Sequence, residues 1–204
     1  MSVIEVFADV SCPFTHVGLR RIVARRAELG RADVVLRVRA WPLELVNGEP
    51  LDAAFVAEEI EELRASVAPD LFAGFDEATF PSSSLAALDL AHAATRLSDA
   101  VAERVSLALR TALFEEGRDV ADPQVLAEIA AAHGVAVDPE ADRAGVLADW
   151  EEGRRRGVRG SPEFFAGGQG WFCPALDVRR EAGRLVVTPD EATTVKFLEA
   201  CFGP

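Results

Sequence analysis

A cysteine followed by proline, Cys12-Pro13, stands where the chain's first strand gives way to its first helix. Residues 3–8 carry the β-rich alternation of a strand, and Asp9-Val10-Ser11-Cys12-Pro13 interrupts it. From Phe14 to about Leu29 the spacing is helical, with Val17, Ile22, Val23 and Ala27 as apolar candidates and Gly30 as the stop. Val34 to Ala40 alternates again, with Arg37 and Arg39 among its polar positions, and Pro42 ends its regular pairing. The first forty residues therefore read β-α-β, with the cysteine in the turn that opens the helix.

That placement has a chemical consequence. The first N–H groups of a helix lack intrahelical acceptors, and the positive end of the helix dipole lies with them. Both favour thiolate over thiol, so Cys12 is expected to be a nucleophile with a pKa below the ~8.5 of a free thiol. Pro13, which has no N–H to satisfy, suits the first helical turn. A buried structural cysteine is the alternative. Exposure at the sheet's C-terminal edge is the expectation.

From about Asp52 to Arg156 the chain reads as helical almost throughout, in about five helices. Ser82-Ser83-Ser84 offers a cap, Asp99 falls near a boundary, and Asp122-Pro123 and Asp138-Pro139 each pair an N-cap with proline at the first helical position. After Gly157 the β pattern returns. Glu163–Ala166 is a short strand, 167–170 (Gly-Gly-Gln-Gly) a turn, and Trp171-Phe172-Cys173 extended. Residues 178–187 suggest a hairpin turning at Glu181-Ala182-Gly183. Pro189-Asp190 starts a last helix with Val195, Leu198 and Phe202 as its apolar face.

Length and composition suit a globular chain: 204 residues, 50% hydrophobic and 27% charged. With 21 basic against 34 acidic residues the net charge is −13, which disfavours nucleic acid and anionic membrane surfaces as partners. Arg154-Arg155-Arg156 is too short a basic run to reverse this and suits a helix C-terminus. No apolar run reaches membrane-spanning length, and the chain opens on a strand rather than a basic leader, so secretion is not expected. Three widely spaced cysteines, Cys12, Cys173 and Cys201, form neither a disulfide framework nor a zinc site. A reducing compartment, the cytoplasm, is the expected location.

Residues 9–18, Asp-Val-Ser-Cys-Pro-Phe-Thr-His-Val-Gly, resemble the active-site segment of DsbA/FrnE-like thioredoxin-fold oxidoreductases, which carry Cys-Pro-x-Cys at this point. Arg159-Gly160-Ser161-Pro162-Glu163 resembles the family's second hallmark, a loop whose proline is cis and faces the active cysteine. The resemblance spans nearly the whole chain. It implies an α/β thioredoxin-like fold, with residues 1–45 and 157–204 as the thioredoxin-like part and 46–156 as a helical insertion. It also implies Cys12 as the catalytic thiol, with Pro13, Phe14, Thr15, His16, Ser161 and Pro162 around the substrate. Thr15 stands where the family has its second cysteine, so a redox cycle between positions 12 and 15 is excluded. The same turn is similar to that of kappa-class glutathione transferases and 2-hydroxychromene-2-carboxylate isomerases, where a serine hydroxyl addresses the glutathione sulfur; Cys12, not Ser11, aligns with that serine.

The resulting expectation is a monothiol disulfide oxidoreductase acting on a small or protein thiol or disulfide, with no bound cofactor or metal and glutathione as a candidate co-substrate. A glutathione-dependent transferase or isomerase and a non-catalytic binding module are the alternatives. Cys173 could resolve a disulfide on Cys12, although a packed strand position is favoured for it. Cys201 reads as a core residue. His16, one helical turn after Cys12, could stabilise the thiolate if protonated; an exposed or backbone-bonded ring is the favoured alternative. Asp9 could bear on the thiol's proton or simply form the turn. Phe72, Phe75 and Phe80 could line a cleft, with core packing the commoner fate of such residues. His92 and His133 carry no motif.

Overall fold

The computed structural model describes residues 2–181 and 184–203. Strand β1 (Ser2–Ala8), helix α1 (Pro13–Glu28) and strand β2 (Val34–Ala40) form the βαβ unit, with β1 and β2 parallel from Ser2↔Val34 to Ala8↔Ala40. Six helices follow: α2 (Leu43–Asn47), α3 (Ala53–Ser66), α4 (Leu85–Thr95), α5 (Asp99–Phe114), α6 (Pro123–His133) and α7 (Pro139–Arg156). A single 3-10 turn, Glu77–Thr79, separates α3 from α4. The chain then returns to the sheet. β3 (Glu163–Ala166) pairs antiparallel with β1 through Phe7↔Glu163, and β4 (Gln169–Phe172) pairs with β3, giving the order β2-β1-β3-β4. A separate hairpin, β5 (Leu176–Glu181) and β6 (Arg184–Pro189), precedes the last helix, α8 (Glu191–Phe202). The hairpin turn expected at Ala182-Gly183 lies outside the described residues.

Local chemistry explains most boundaries. Asp122 accepts from Gln124 N–H and Asp138 from Glu140 and Ala141 N–H, each ahead of a first-turn proline. Gly134 and Gly157, both left-handed, close those helices. Arg154, Arg155 and Arg156 do occupy the last turn of α7, where their charge meets the negative helix end. Ser98 caps α5, immediately before Asp99. Ser84 precedes α4, but its hydroxyl makes no cap bond and is used elsewhere. The short α2 was not anticipated after Pro42. The strand at 169–172 also begins earlier than expected, leaving Gly167-Gly168 as the turn, because Gln169 pairs with Ala166.

Two apolar clusters fill the interior. The first lies between the sheet, α1 and α8 and includes Ile4, Val6, Leu19, Ile22, Leu36, Phe164, Phe197 and Phe202. Each such side chain contributes roughly 1.5–3 kcal/mol on full burial. The expected face of α8 is corrected here. Val195 is exposed, and Phe197 and Cys201, four residues apart, lie inward with Phe202. The second cluster joins the Cys12 turn to the helices and to Leu185 and Val187 of β6.

On the opposite side of β1, Phe7 meets Trp41 edge-on at 6.3 Å between ring centroids. Helix α7 approaches this pair at Gly153, where a Cβ would lie 2.5 Å from the Trp41 ring and 3.0 Å from Phe7. Helix propensity alone would reward Gly153→Ala by about 1 kcal/mol, but overpacking a filled site costs about 1–3 kcal/mol. The substitution is expected to destabilise the protein, seen as a lower urea midpoint at unchanged slope. A midpoint that holds or rises would mean that α7 can retreat from the sheet without loss.

Candidate active site

The site is built around the loop that leaves β1. Asp9 is 1% exposed, and its carboxylate gathers three donors: Ser11 N–H at 2.8 Å, Leu43 N–H at 2.6 Å and the Ser84 hydroxyl at 3.0 Å. Its own N–H donates to Ser161 Oγ at 2.9 Å, and its carbonyl accepts from the Arg110 guanidinium at 2.8 Å. Burial pushes the Asp9 carboxyl upward, while those donors and the Arg110 charge oppose the shift. Arg110 is itself 1% exposed; burial lowers it to about 10, with the charges of Asp9 and Cys12 supporting the cation. Asp9 is therefore the fastening point of the turn.

Cys12 occupies the N-cap of α1 with extended backbone, and Pro13 follows as the first helical residue. Its thiol donates to the Ser161 carbonyl at 3.1 Å. The Ser161–Pro162 bond is cis. Thr15, fully buried, places its hydroxyl 2.8 Å from Ser161 Oγ. Cys12, Thr15, Ser161 and Pro162 thus converge. Pro13 and Phe14 are buried beside them.

Two expectations about Cys12 are corrected. It is 3% exposed rather than open at the sheet edge, covered by the second apolar cluster. Its thiol is pushed up to about 11 rather than down. Burial is the main cause, and the Glu59 charge adds to it; the hydroxyl and N–H of Thr15 and the Ser161 hydroxyl pull the other way. The bond to a carbonyl acceptor requires the same protonated form, since a thiolate has no hydrogen to donate. Cys12 nevertheless remains more acidic than Cys201, which burial raises to about 12.

His16 is also corrected. It is neither exposed nor a cation beside the thiol: it is 1% exposed, packed against Phe72 and Phe114, with Nε2 2.6 Å from Glu115 Oε1. Nδ1 has no hydrogen-bond partner. Protonation would strand an N–H among rings, so burial lowers His16 to about 4 despite the carboxylate. The neutral ring donates from Nε2.

Cys173 lies beyond β4, not in it. Its backbone has φ +41°, and its N–H donates to the Pro162 carbonyl at 3.1 Å. The side chain is buried in the same cluster as Cys12. Burial pushes its thiol up, followed by the charges of Cys12, Glu59 and Glu163. Cys201 is buried between α8 and the sheet. Phe72 is fully buried core, while Phe75 and Phe80 pack against each other at its margin. His92 holds Asp142 at 3.0 Å, and His133 ends α6.

Glu59 and Arg110 went unnoticed in the sequence, and Ser84 was read there only as part of a helix cap. Glu59 is three residues after Val56 and four before Leu63, both buried, so α3 turns it toward the thiols. Burial raises it to about 8, with Arg180 opposing and Glu58 adding. A groove of about 330 Å³ opens alongside, between α1 and α8, lined by Phe14, Val17, Pro162, Phe164, Cys173, Leu176 and Phe197, with Arg21 and Arg25 also on its walls. Among the described residues no group of three or more His, Cys, Asp or Glu could hold a metal, and no helix is long and apolar enough to cross a membrane.

A βαβ unit, a β-hairpin on its sheet and a closing helix, with a helix-opening cysteine against a cis-proline loop, define a thioredoxin-like α/β fold. The model of the DSBA-like thioredoxin domain matches residues 3–181, and the chain belongs to that family. Its structure is similar to the cytosolic disulfide reductase DsbM from Pseudomonas aeruginosa, at TM-score 0.60 and 17% identity over 98% of this chain and 93% of that one. A protein of Nitrosomonas europaea, provisionally assigned as a protein disulfide isomerase, matches at TM-score 0.63 and 14% identity over 97% of each chain. A 2-hydroxychromene-2-carboxylate isomerase matches at TM-score 0.58 and 14% identity over 83% of this chain and 88% of that one. No curated protein sequence matches the chain.

The buried groups give two expected pH effects. As pH falls below 6.5, an unfolded chain protonates His16 whereas the folded chain resists until about 4. Stability present above that window is lost through it, by about 3 kcal/mol. Denaturation midpoints between pH 7 and 4 should show this loss, and His16→Gln should flatten it; equal slopes would place the proton uptake elsewhere. For Cys12, the Glu59 carboxylate opposes ionisation only above about pH 8, where it is charged. Glu59→Gln should therefore speed Cys12 alkylation at pH 9 by about threefold, with the difference fading below pH 7. An equal rate at pH 9 would separate Glu59 electrically from the thiol.

Proposed function

We propose that the protein is a thiol-disulfide oxidoreductase whose nucleophile is Cys12. The observation that carries this reading is the meeting of the Cys12 sulfur with the Ser161 carbonyl, and of the Thr15 hydroxyl with Ser161 Oγ, at the opening of α1. In the resting protein the thiol is protonated. Once the proton leaves, Thr15 O–H and N–H are placed to hold the anion. The thiolate attacks one sulfur of a disulfide, forms a mixed disulfide and expels the other half as a thiol. Conversion of Cys12 also frees the Ser161 carbonyl to accept an N–H from an extended substrate.

Thr15 cannot release the captured half, because a hydroxyl does not exchange with disulfides. Resolution therefore falls to a thiol outside the Cys12–Thr15 motif. Glutathione suits this chemistry, its disulfide form as the substrate that is attacked and its thiol form as the reductant that completes the cycle, and DsbM from Pseudomonas aeruginosa has been solved with GSH. The apolar groove beside Phe14 and Pro162 suits the non-sulfur part of a substrate. Three free cysteines fit a reducing compartment such as the cytoplasm.

Exposure to oxidised glutathione, followed by acid quench and peptide mass mapping, should show Cys12 as the cysteine that captures a glutathionyl group. Thr15→Val, which keeps the shape but removes the hydroxyl, should slow capture by about tenfold, equivalent to roughly one pKa unit. Capture first at Cys201, or unchanged kinetics in Thr15→Val, would defeat this assignment. Tight reversible glutathione binding with no modification of any cysteine would favour a transferase or isomerase instead.

A further inference from the structure

Cys12 and Cys173 hold neighbouring carbonyls of one dipeptide. The Cys12 thiol donates to Ser161 O, and the Cys173 N–H donates to Pro162 O, both at 3.1 Å. Both side chains are buried in a single apolar cluster, and Cys173 also lines the groove that runs past Phe14 and Pro162. Cys173 reaches this position through backbone at φ +41°, a region that non-glycine residues seldom adopt. A glycine would fit that turn more easily. The strained backbone carries a thiol close enough to feel a charge on Cys12, and strain of this kind is a pointer to function.

We propose that Cys173 is the resolving thiol, closing a Cys12–Cys173 disulfide after Cys12 has captured a substrate. This rests on the reading of Cys12 as the nucleophile and names the thiol that Thr15 cannot be. Cys12 first attacks RS–SR′, forming Cys12–S–S–R and releasing R′S⁻, which takes the proton Cys12 gave up. The Cys173 thiolate then attacks Cys12 Sγ. The Cys12–R bond breaks, a Cys12–Cys173 bond forms, and RS⁻ leaves with the proton from Cys173. The substrate disulfide has gained two electrons and two protons, and the protein has lost them. Two equivalents of a low-molecular-weight thiol such as glutathione reduce the protein again and become a disulfide themselves.

Electrostatics set the order of events. Each thiolate would lie in the field of the other, so the ionised form of Cys12 holds Cys173 protonated. Burial raises Cys173 further than Cys12, leaving Cys12 to react first. A mixed disulfide on Cys12 carries no charge, so it opposes ionisation of Cys173 no more than the resting, protonated thiol does.

The test uses wild type, Cys173→Ser and Cys201→Ser, each treated with oxidised glutathione and quenched in acid at intervals. Wild type and Cys201→Ser should pass through a Cys12 glutathionyl adduct. They should finish two hydrogens lighter than the reduced chain, with the 12 and 173 peptides linked and two glutathiones released per chain. Cys173→Ser should stop at the adduct with one released. A wild-type adduct on Cys12 that persists without a 12–173 link overturns this proposal and leaves the Cys12 assignment standing. No adduct or link at Cys12 in any variant overturns both. The final state of wild type alone, two hydrogens lighter and linked 12–173 rather than carrying glutathionyl groups, decides the matter even if Cys173→Ser fails to fold.

Discussion

The buried carboxylate of Asp9 is the interaction on which the site depends. An unpaired carboxylate removed from water carries a penalty of several kcal/mol, which Asp9 offsets with donors from Ser11, from Leu43 at the start of α2 and from Ser84 at the start of α4. Its backbone is held as well, by Ser161 on one side and by Arg110 of α5 on the other. The βαβ unit, the helical segment and the cis-proline loop thus meet at one residue, three positions before Cys12. The geometry at Cys12 follows, because the loop between Asp9 and Pro13 has little freedom left once Asp9 is fixed.

At Cys12 two electrostatic effects oppose each other, and their sizes decide the resting state. A helix N-terminus favours a nearby negative charge by about 0.3–1 kcal/mol at the surface and up to ~2 kcal/mol in partly buried settings. Full burial can shift an ionisable group by up to about 3–5 pKa units, which is larger. Val56 and Ile60 of α3, with Leu185 and Val187 of β6, belong to the apolar cluster that encloses the sulfur, and Glu59 adds a like charge from the same helix. Burial wins, and the thiol stays protonated. With the thiol near 11, about one chain in ten thousand carries the thiolate at pH 7. Such a thiol is protected from indiscriminate oxidation, while the Thr15 donors remain in place for the anion when it forms.

The same economy of position runs through the helical segment. His16 looks outward from α1 but ends among Phe72 and Phe114, its ring turned to Glu115, whose carboxylate also caps the N–H groups of Phe72 and Ala73. A residue that follows Cys12 by one turn is thereby committed to joining α1 to α5 rather than to proton transfer. Arg110 shows the converse. It lies ninety-eight residues from Cys12 in sequence, yet it supports the cysteine turn directly through the Asp9 carbonyl.

Much of this architecture was written in short-range patterns. The alternation in residues 3–8 and 34–40, the Asp-Pro starts of α6 and α7, the glycine stops and the five helices from α3 to α7 all depend on neighbours within a few residues. Cys12 at a helix start was legible for the same reason, whereas the Ser161-Pro162 loop and Thr15 at the place of a second thiol were legible through the resemblance to a known family. Tertiary structure alone decided which residues close over Cys12, that its thiol rises rather than falls, and that His16 is neutral. It also decided that Cys173 leaves the strand to sit on the Pro162 carbonyl, and that Glu59, Arg110 and Ser84 belong to the site. Each of these depends on desolvation or on partners tens of residues away. Local spacing sets where a helix begins and what its first turn offers, whereas the charge state of a group there depends on how much water the whole fold leaves around it.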